Sequence, residues 1–377
     1  MGALRSLGVQ GRLDVLAGWA ADFDPDPAGI AEESGLSPEM VSWGVRTTVR
    51  EVAQLGSMLD EALGDRYRVG GFRGHTQTVM PDIVGHVWAR TLPTSGWLPV
   101  LSCLAAGSAC VIKAPEGAQA AAEVLRQSLP QVFPVAVHAW AGGEDGDEAL
   151  VRRSGAVVVS GGVNAVERYA ELTQRRQIPF VPFGPGCSIA VVSADADVDI
   201  AGLALDVAAY DQRGCLSPQS VWVEGPGRDV AAQLARALGA LANDLPRGPL
   251  SDETAVAILQ RKSSAAFRGE VFEAREAAVL YEPEPYRWDT PLHRTVAVHE
   301  FSGGALGLDL ALPEGLRLHA AGIAGSAETR RAYAAVLGRR GVSRVCAPGQ
   351  MQTPPAGWHH DGLNWLARLA HYVDVED

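Results

Sequence analysis

Cys215 is the residue whose setting points most directly to covalent chemistry in this chain of 377 residues. It stands in the polar, turn-rich string DQRGCLSPQ, residues 211–219, between Gly214 and Leu216. A thiolate adds readily to carbonyl and thioester carbons, and a neighbouring glycine lets a substrate approach closely. The other four cysteines, Cys103, Cys110, Cys187 and Cys346, lie in apolar or small-residue runs, where a thiol behaves as a small hydrophobe. Two groups upstream could meet a nucleotide. Lys113 closes the strand-like run ACVIK and Glu116 follows three residues on, so a cation for a phosphate and a carboxylate for a ribose hydroxyl stand at one strand end. Ser160, Gly161 and Gly162 separate the apolar run AVVV from the helical NAVERY, leaving backbone N–H groups and a helix amino end for a pyrophosphate. The GxGxxG fingerprint of ordinary dinucleotide-binding folds does not occur in the sequence.

These groups need a frame, and the pattern from residue 98 onward supplies one. Helical runs such as WLPVLSCLAAG and AQAAAEVLRQSL alternate with short apolar runs such as ACVIK, VAVHAW and AVVVS. Apolar runs without polar alternation read as strands buried on both faces of a parallel sheet with right-handed crossovers. In such sheets ligands gather at the carboxyl ends of the strands. The stretch from Ser188 to Cys215 reads as one more strand, then a helix whose amino end is marked by Asp197 and Asp199, then the cysteine turn. SVWVE, DVAAQLARALGALA, AAVLYEPEP, RTVAVHEF and AETRRAYAAVLGRRG repeat the theme as a second unit, and WHHDGLNWLARLAHYVDVED is expected as a closing helix. The expected fold class is α/β. Its domains are a helical segment with a dinucleotide-binding domain over 1–186, a catalytic domain over 187–345, and a packing or oligomerisation tail over 346–377.

The bulk composition excludes several classes. A net charge of -12 provides no field to draw a polyphosphate backbone, so nucleic acid is not an expected partner. No apolar run reaches the roughly 20 residues that span a bilayer, and the amino terminus lacks the two regions of a signal peptide, so a cytoplasmic location is expected. Five cysteines without a CxxC spacing fit neither a disulfide framework nor a zinc cluster. No metal site is expected at His359-His360-Asp361 either, since adjacent histidines do not readily face one ion; the string reads as a structural or interface motif.

The order Lys113, Ser160-Gly161-Gly162, a glycine-rich strand end and Cys215 resembles the aldehyde dehydrogenase superfamily. QRGCLSPQ, the run from His86 to Lys113, the FGPGCS turn at 183–188 and the terminal HHDG with DVE resemble its LuxC-type fatty acyl-CoA reductase branch over roughly residues 80–377. The resemblance implies an aldehyde dehydrogenase-like fold and attack of Cys215 on an acyl-CoA or acyl carrier thioester. The thioacyl enzyme would then be reduced to the aldehyde by a nicotinamide hydride. It also implies a homo-oligomer and an acyl-transferring protein partner. Hydrolytic members carry a water-activating glutamate at the glycine-rich strand end, where IPFVPFGPGCS has no carboxylate, which favours thioester reduction over aldehyde oxidation.

Three positions depart from the family pattern or align loosely with it. The superfamily asparagine that donates to the developing oxyanion corresponds to Thr91, shifting weight onto the Cys215 backbone N–H. Glu300 in VAVHEFSGG takes the place of a glutamate that holds the nicotinamide ribose. NADPH is the cofactor the family and Lys113 imply, while Glu116 suits the free 2′-hydroxyl of NADH. Two other functions fit the same residues: an aldehyde or semialdehyde dehydrogenase, and a catalytically weak acyl-binding subunit of an acyltransferase or synthetase complex.

Overall fold

A computed structural model describes residues 2–63, 74–143, 145–194, 196–285 and 290–376. The chain divides into two compact units, the first made of Met1–Ser34, Val41–Pro185 and Pro355–Asp377, the second of Gly35–Met40 and Gly186–Pro354. Among the described residues, the strands of the first unit are β1 (Gly74–Val79), β2 (Ile83–Val87), β3 (Ala109–Pro115), β4 (Val135–Trp140), β5 (Ala156–Ser160) and β6 (Phe180–Phe183), joined at the chain's end by β14 (His371–Glu376). Five of them form a parallel sheet in the order β4-β3-β2-β5-β6. The first four residues of β5 are fully buried, as an apolar run covered on both faces must be. The helix Trp97–Ala106 leads into β3 and stops at Gly107, whose φ of 100° lets its N–H cap the carbonyls of Cys103 and Leu104. The chain order places the switch point between β2 and β5, since β3 and β4 run outward on one side and β6 on the other.

The second unit holds β7 (Ser188–Val192), β8 (Pro218–Glu224), β9 (Glu270–Ala274), β10 (Ala277–Tyr281), β11 (Thr295–Phe301), β12 (Ala320–Ala324) and β13 (Arg344–Cys346). They form a sheet in the order β13-β12-β7-β8-β11-β10-β9, parallel except where β9 meets β10. Ala190, Val192, Val221, Val223, Val296 and Val298 pack under the helices on one face. Trp222, Ile189, Val191 and Ile323 pack on the other, so alternate residues of each strand serve opposite cores.

Two loops of this unit enter the sheet through left-handed backbone. Tyr210, Asp211 and Gln212 have φ of 52°, 53° and 61°, and Leu292, His293 and Arg294 have φ of 64°, 51° and 63°. For residues with a Cβ this region costs roughly 1–2 kcal/mol each. A buried ion pair binds the two loops together. Arg294 Nε and Nη2 donate to Asp211 Oδ1 at 3.1 and 2.9 Å, Arg294 Nη1 donates to the Leu245 carbonyl at 2.8 Å, and the Gly248 N–H donates to Asp211 Oδ2 at 3.0 Å.

The chain's end differs from the expected closing helix. Residues 359–369 form two short 3-10 turns, and β14 pairs antiparallel with β1, Gly74 opposite Glu376 and Val79 opposite His371. Gly357 and Gly362 interrupt a helix, and HYVDVE alternates as a strand does; its partner lies some three hundred residues earlier, beyond the reach of any local pattern. Asp377 lies outside the described residues. The run from His86 starts with the last two residues of β2.

Replacing Asp211 by alanine leaves Arg294 buried with its main charge partner gone, and is expected to lower unfolding free energy by about 3–5 kcal/mol. Urea denaturation of D211A against wild type measures it; a loss under about 1 kcal/mol would mean that the pair does not hold these loops.

Candidate active site

The cysteine turn is built at the amino ends of the central strands of the second unit. The helix Ile200–Ala208 begins at Asp199, whose side chain accepts from the Gly202 N–H, and delivers the chain into the left-handed residues 210–212. Cys215 follows in a tight turn closed by the Ser217 N–H to the Gly214 carbonyl at 3.0 Å. Gln212 Nε2 donates to the Pro218 carbonyl at 2.9 Å, fixing both ends of the turn. Ser188, the first residue of β7, donates from Oγ to the Cys215 carbonyl at 2.6 Å and accepts from the Ala320 N–H at 3.2 Å. Cys215 is half-buried, whereas Cys103, Cys110, Cys187 and Cys346 are buried. Burial pushes the Cys187 thiol up to about 12 and the Cys346 thiol up to about 11, which leaves both protonated and inert at neutral pH. His319, which reading the sequence did not single out, immediately precedes β12 and brings a ring nitrogen within 4.8 Å of Cys215 Sγ.

In the first unit, Lys113 and Val159 both pair with Val87 at the end of β2, placing β3 and β5, the strands flanking β2, roughly 10 Å apart. Ser160 ends β5, Gly161 and Gly162 follow, and the helix Val163–Arg176 starts with no side-chain cap and no acidic residue in its first turn. A Cβ on Gly162 would meet nothing within 4 Å, so the backbone there is open to a ligand. Lys113 is buried, with Nζ 5.8 Å from the centroid of the Trp140 ring. Trp140 Nε1 and Tyr169 Oη donate to Asp147 Oδ1 at 2.8 and 2.6 Å, and the Gly143 N–H donates to Oδ2 at 2.9 Å. Burial works against the Asp147 charge, yet these hydrogen bonds and the Lys113 charge hold its carboxyl below the usual range. Burial, and then Asp147, raises the Tyr169 hydroxyl well above its ordinary value. Glu116 is exposed in the turn after β3, where its carbonyl accepts from Arg90, and Thr91 is exposed in the turn after β2.

The structure gathers Lys113, Ser160, Gly161 and Gly162 at one edge of the first sheet, with Glu116 in the adjoining turn. It does not bring Glu300 to Cys215. Glu300 pairs with Val223 near the carboxyl end of β8, about 17 Å along the strand from Pro218, where the cysteine turn enters. Its Oε1 accepts from the Gly227 N–H and Tyr281 Oη, both at 2.7 Å, so the carboxylate serves the far edge of the sheet. No helix among the described residues is long and apolar enough to cross a membrane.

The family of acyl-CoA reductases (LuxC) matches residues 15–372. A long-chain acyl-protein thioester reductase of Aliivibrio fischeri is 27% identical over 306 residues, covering 77% of this chain and 63% of that protein. The chain thus spans less than two thirds of that relative's length. Among solved structures, an NAD-dependent benzaldehyde dehydrogenase from Corynebacterium glutamicum superposes with a TM-score of 0.73 at 18% identity, covering 100% of this chain and 87% of that one. An NADP-dependent enzyme of E. coli gives a TM-score of 0.75 at 14% identity, covering 100% and 88%. The fold is that of the aldehyde dehydrogenases.

Beneath the cysteine turn lies a second buried carboxylate. Asp206 accepts from the Gly349 and Met351 N–H groups at 2.7 and 2.9 Å, and Gln352 Nε2 bridges the Asp206 carbonyl and Ser217 Oγ at 3.2 Å each. Burial pushes the Asp206 carboxyl up to about 7, against the pull of both N–H groups and of Arg344. Because the folded value exceeds the unfolded one of about 3.9, the stability this group contributes is full below pH ~4 and is lost as pH rises to about 7. Relative to D206N, which carries no ionisable proton there, the wild type should therefore lose stability across that window. Thermal denaturation at a series of pH values checks this, and parallel curves for the two proteins would contradict it.

Proposed function

The chain belongs to the acyl-CoA reductase (LuxC) family, and from that premise we propose that it reduces an acyl thioester to the aldehyde through a thioacyl adduct on Cys215. The observation that carries this reading is the contrast among the thiols: four are buried, and the one half-open thiol sits on a turn fixed from both sides. Attack of Cys215 Sγ on the thioester carbon forms the new C–S bond, and collapse of the tetrahedral adduct releases the carrier thiolate, from CoA or an acyl carrier protein. The Cys215 backbone N–H is the proposed donor to the oxyanion of that adduct. The absence of a carboxylate between Ile178 and Ser188 supports resolution by reduction rather than by hydrolysis.

The nicotinamide cofactor fits the first unit on structural grounds: an uncapped helix amino end, open backbone at Gly162, and the buried cation of Lys113 converge at a switch point. When bound, it would supply the hydride that reduces the thioacyl carbon, the thiohemiacetal anion on Cys215 then expelling the Cys215 thiolate to free the aldehyde. Lys113, Ser160, Gly161 and Gly162 would hold its diphosphate and ribose, with Glu116 at the adenosine ribose. We assign NADPH as the reductant on the charge of Lys113, with NADH preference the expected result if Glu116 dominates.

Purified protein given acyl-CoAs or acyl carrier thioesters of several chain lengths and either reduced nicotinamide should oxidise the cofactor and yield aldehyde in equal amounts. C215S should lose about three orders of magnitude or more of that rate. Full activity in C215S would refute the nucleophile. Acylation of Cys215 without cofactor oxidation would instead identify an acyl-binding subunit.

A further inference from the structure

We propose that His319 is the proton acceptor for Cys215, taking the thiol proton as the acyl thioester is attacked and returning it to the departing carrier thiol. The inference rests on the reading of Cys215 as the nucleophile and adds a residue to it. One ring nitrogen of His319 lies within 4.8 Å of Cys215 Sγ, a separation that rotation of the half-open Cys215 side chain closes in a substrate complex. The placement is built by the backbone on both sides. The His319 N–H donates to the Cys187 carbonyl at 2.7 Å, and the His319 carbonyl accepts from the Ser343 N–H at 3.1 Å and from Ser343 Oγ at 3.3 Å. Ser188 Oγ ties the Cys215 carbonyl to the N–H of Ala320, the residue after His319, so a single hydroxyl holds both partners in register.

The ring occupies space that only a glycine leaves. A Cβ on Gly186 would fall 2.8 Å from His319 Cβ and Cγ and 3.0 Å from Nδ1. His319 is 5% exposed, and the form of its ring that can accept a proton is the neutral imidazole. The proton balance closes without a further reagent. The thiol proton passes to the imidazole as the C–S bond to Cys215 forms. It then passes from the imidazolium to the carrier thiolate as the old C–S bond breaks. Within the second unit, titratable groups near the pair include Cys187 and Cys346, Arg213 two residues before Cys215, and Asp206 with Arg344 beneath the turn.

The test reads the thiol directly and needs no acyl substrate: the rate of iodoacetamide alkylation of the Cys215 peptide, followed by mass spectrometry across pH 5–9. In wild type the rate should rise with pH as the imidazole becomes free to accept a proton, and then level. In H319Q it should fall at least tenfold at neutral pH and climb with hydroxide. G186A, which retains the imidazole but displaces it, should show the same loss and stands in if H319Q does not fold. D206N should keep the wild-type profile. An unchanged profile in H319Q or G186A, or one abolished by D206N alone, overturns the assignment whether or not the protein reduces acyl thioesters. Reductase activity that survives in C215S overturns the nucleophile without touching the alkylation result.

Discussion

The geometry of the second unit depends on the buried pair between Arg294 and Asp211. Asp211 sits in the middle of one left-handed run and Arg294 at the end of another, so each residue fixes the other's strained loop. A single charge could not do this. Desolvation of either alone costs several kcal/mol, and the geometry repays it only because Arg294 is also bonded to the Leu245 carbonyl and Asp211 to the Gly248 N–H. Three chain segments, at 211, 245–248 and 294, therefore meet at this pair, and the three-residue step from Asp211 to Gly214 fixes where Cys215 emerges. Strain kept in place by such a pair is typical of sites whose side chains must not relax away from substrate.

The first unit uses the same device for a different end. Asp147 stands in the first turn of the helix Asp145–Arg153, where a carboxylate suits the helix dipole, and its two oxygens collect three donors from Trp140, Tyr169 and Gly143. The hydrogen bond to Trp140 Nε1 orients the indole, and the indole face lies against the ammonium of Lys113. The lysine at the strand end is thus held by a platform and not left to sweep through solvent. Lys113 and Asp147 also act on one another through space, the cation helping to keep the acid ionised despite its burial. A fixed charge of this kind discriminates among ligands better than a mobile one, because less side-chain entropy is lost on binding.

What reading the sequence could reach follows from the range of the interactions involved. The buried strands β3, β5 and β7 and the turn around Cys215 are local patterns of apolar runs and polar punctuation, and they are present where expected. The partners of the cysteine are not local. Ser188 lies 27 residues before Cys215 in the chain, and Arg294 lies 83 residues after Asp211. His319 is an ordinary histidine in the sequence; its only signal is Gly186 in FGPGCS, whose missing side chain makes room for the ring. Glu300 shows the converse limit, since a motif at the end of a strand gives no indication of which edge of the sheet that strand end occupies. Left-handed backbone at Tyr210, Gln212, Leu292 and His293 has no signature at all, because the residues that favour it are glycine and asparagine.

If Cys215 is acylated as proposed, with His319 its proton acceptor, the question is what would keep the acyl adduct from water. In that scheme the imidazole would be free again once the carrier thiol had left with its proton, and a base near a thioester can activate water as well as a thiol. The hydrolytic route needs a water held between imidazole and carbonyl carbon, and the surroundings of His319 oppose it. The ring is wedged over Gly186, with its main chain bonded to Cys187 and Ser343, and hardly any of its surface reaches solvent. The thiol, by contrast, stands at the mouth of its turn, half-open. An arrangement in which the nucleophile is reachable and the base is sheltered favours a proton shuttle along the Sγ–imidazole line over water attack from the side. The missing carboxylate at 178–188 removes the better-placed base for hydrolysis, and the burial of His319 keeps the remaining one from replacing it.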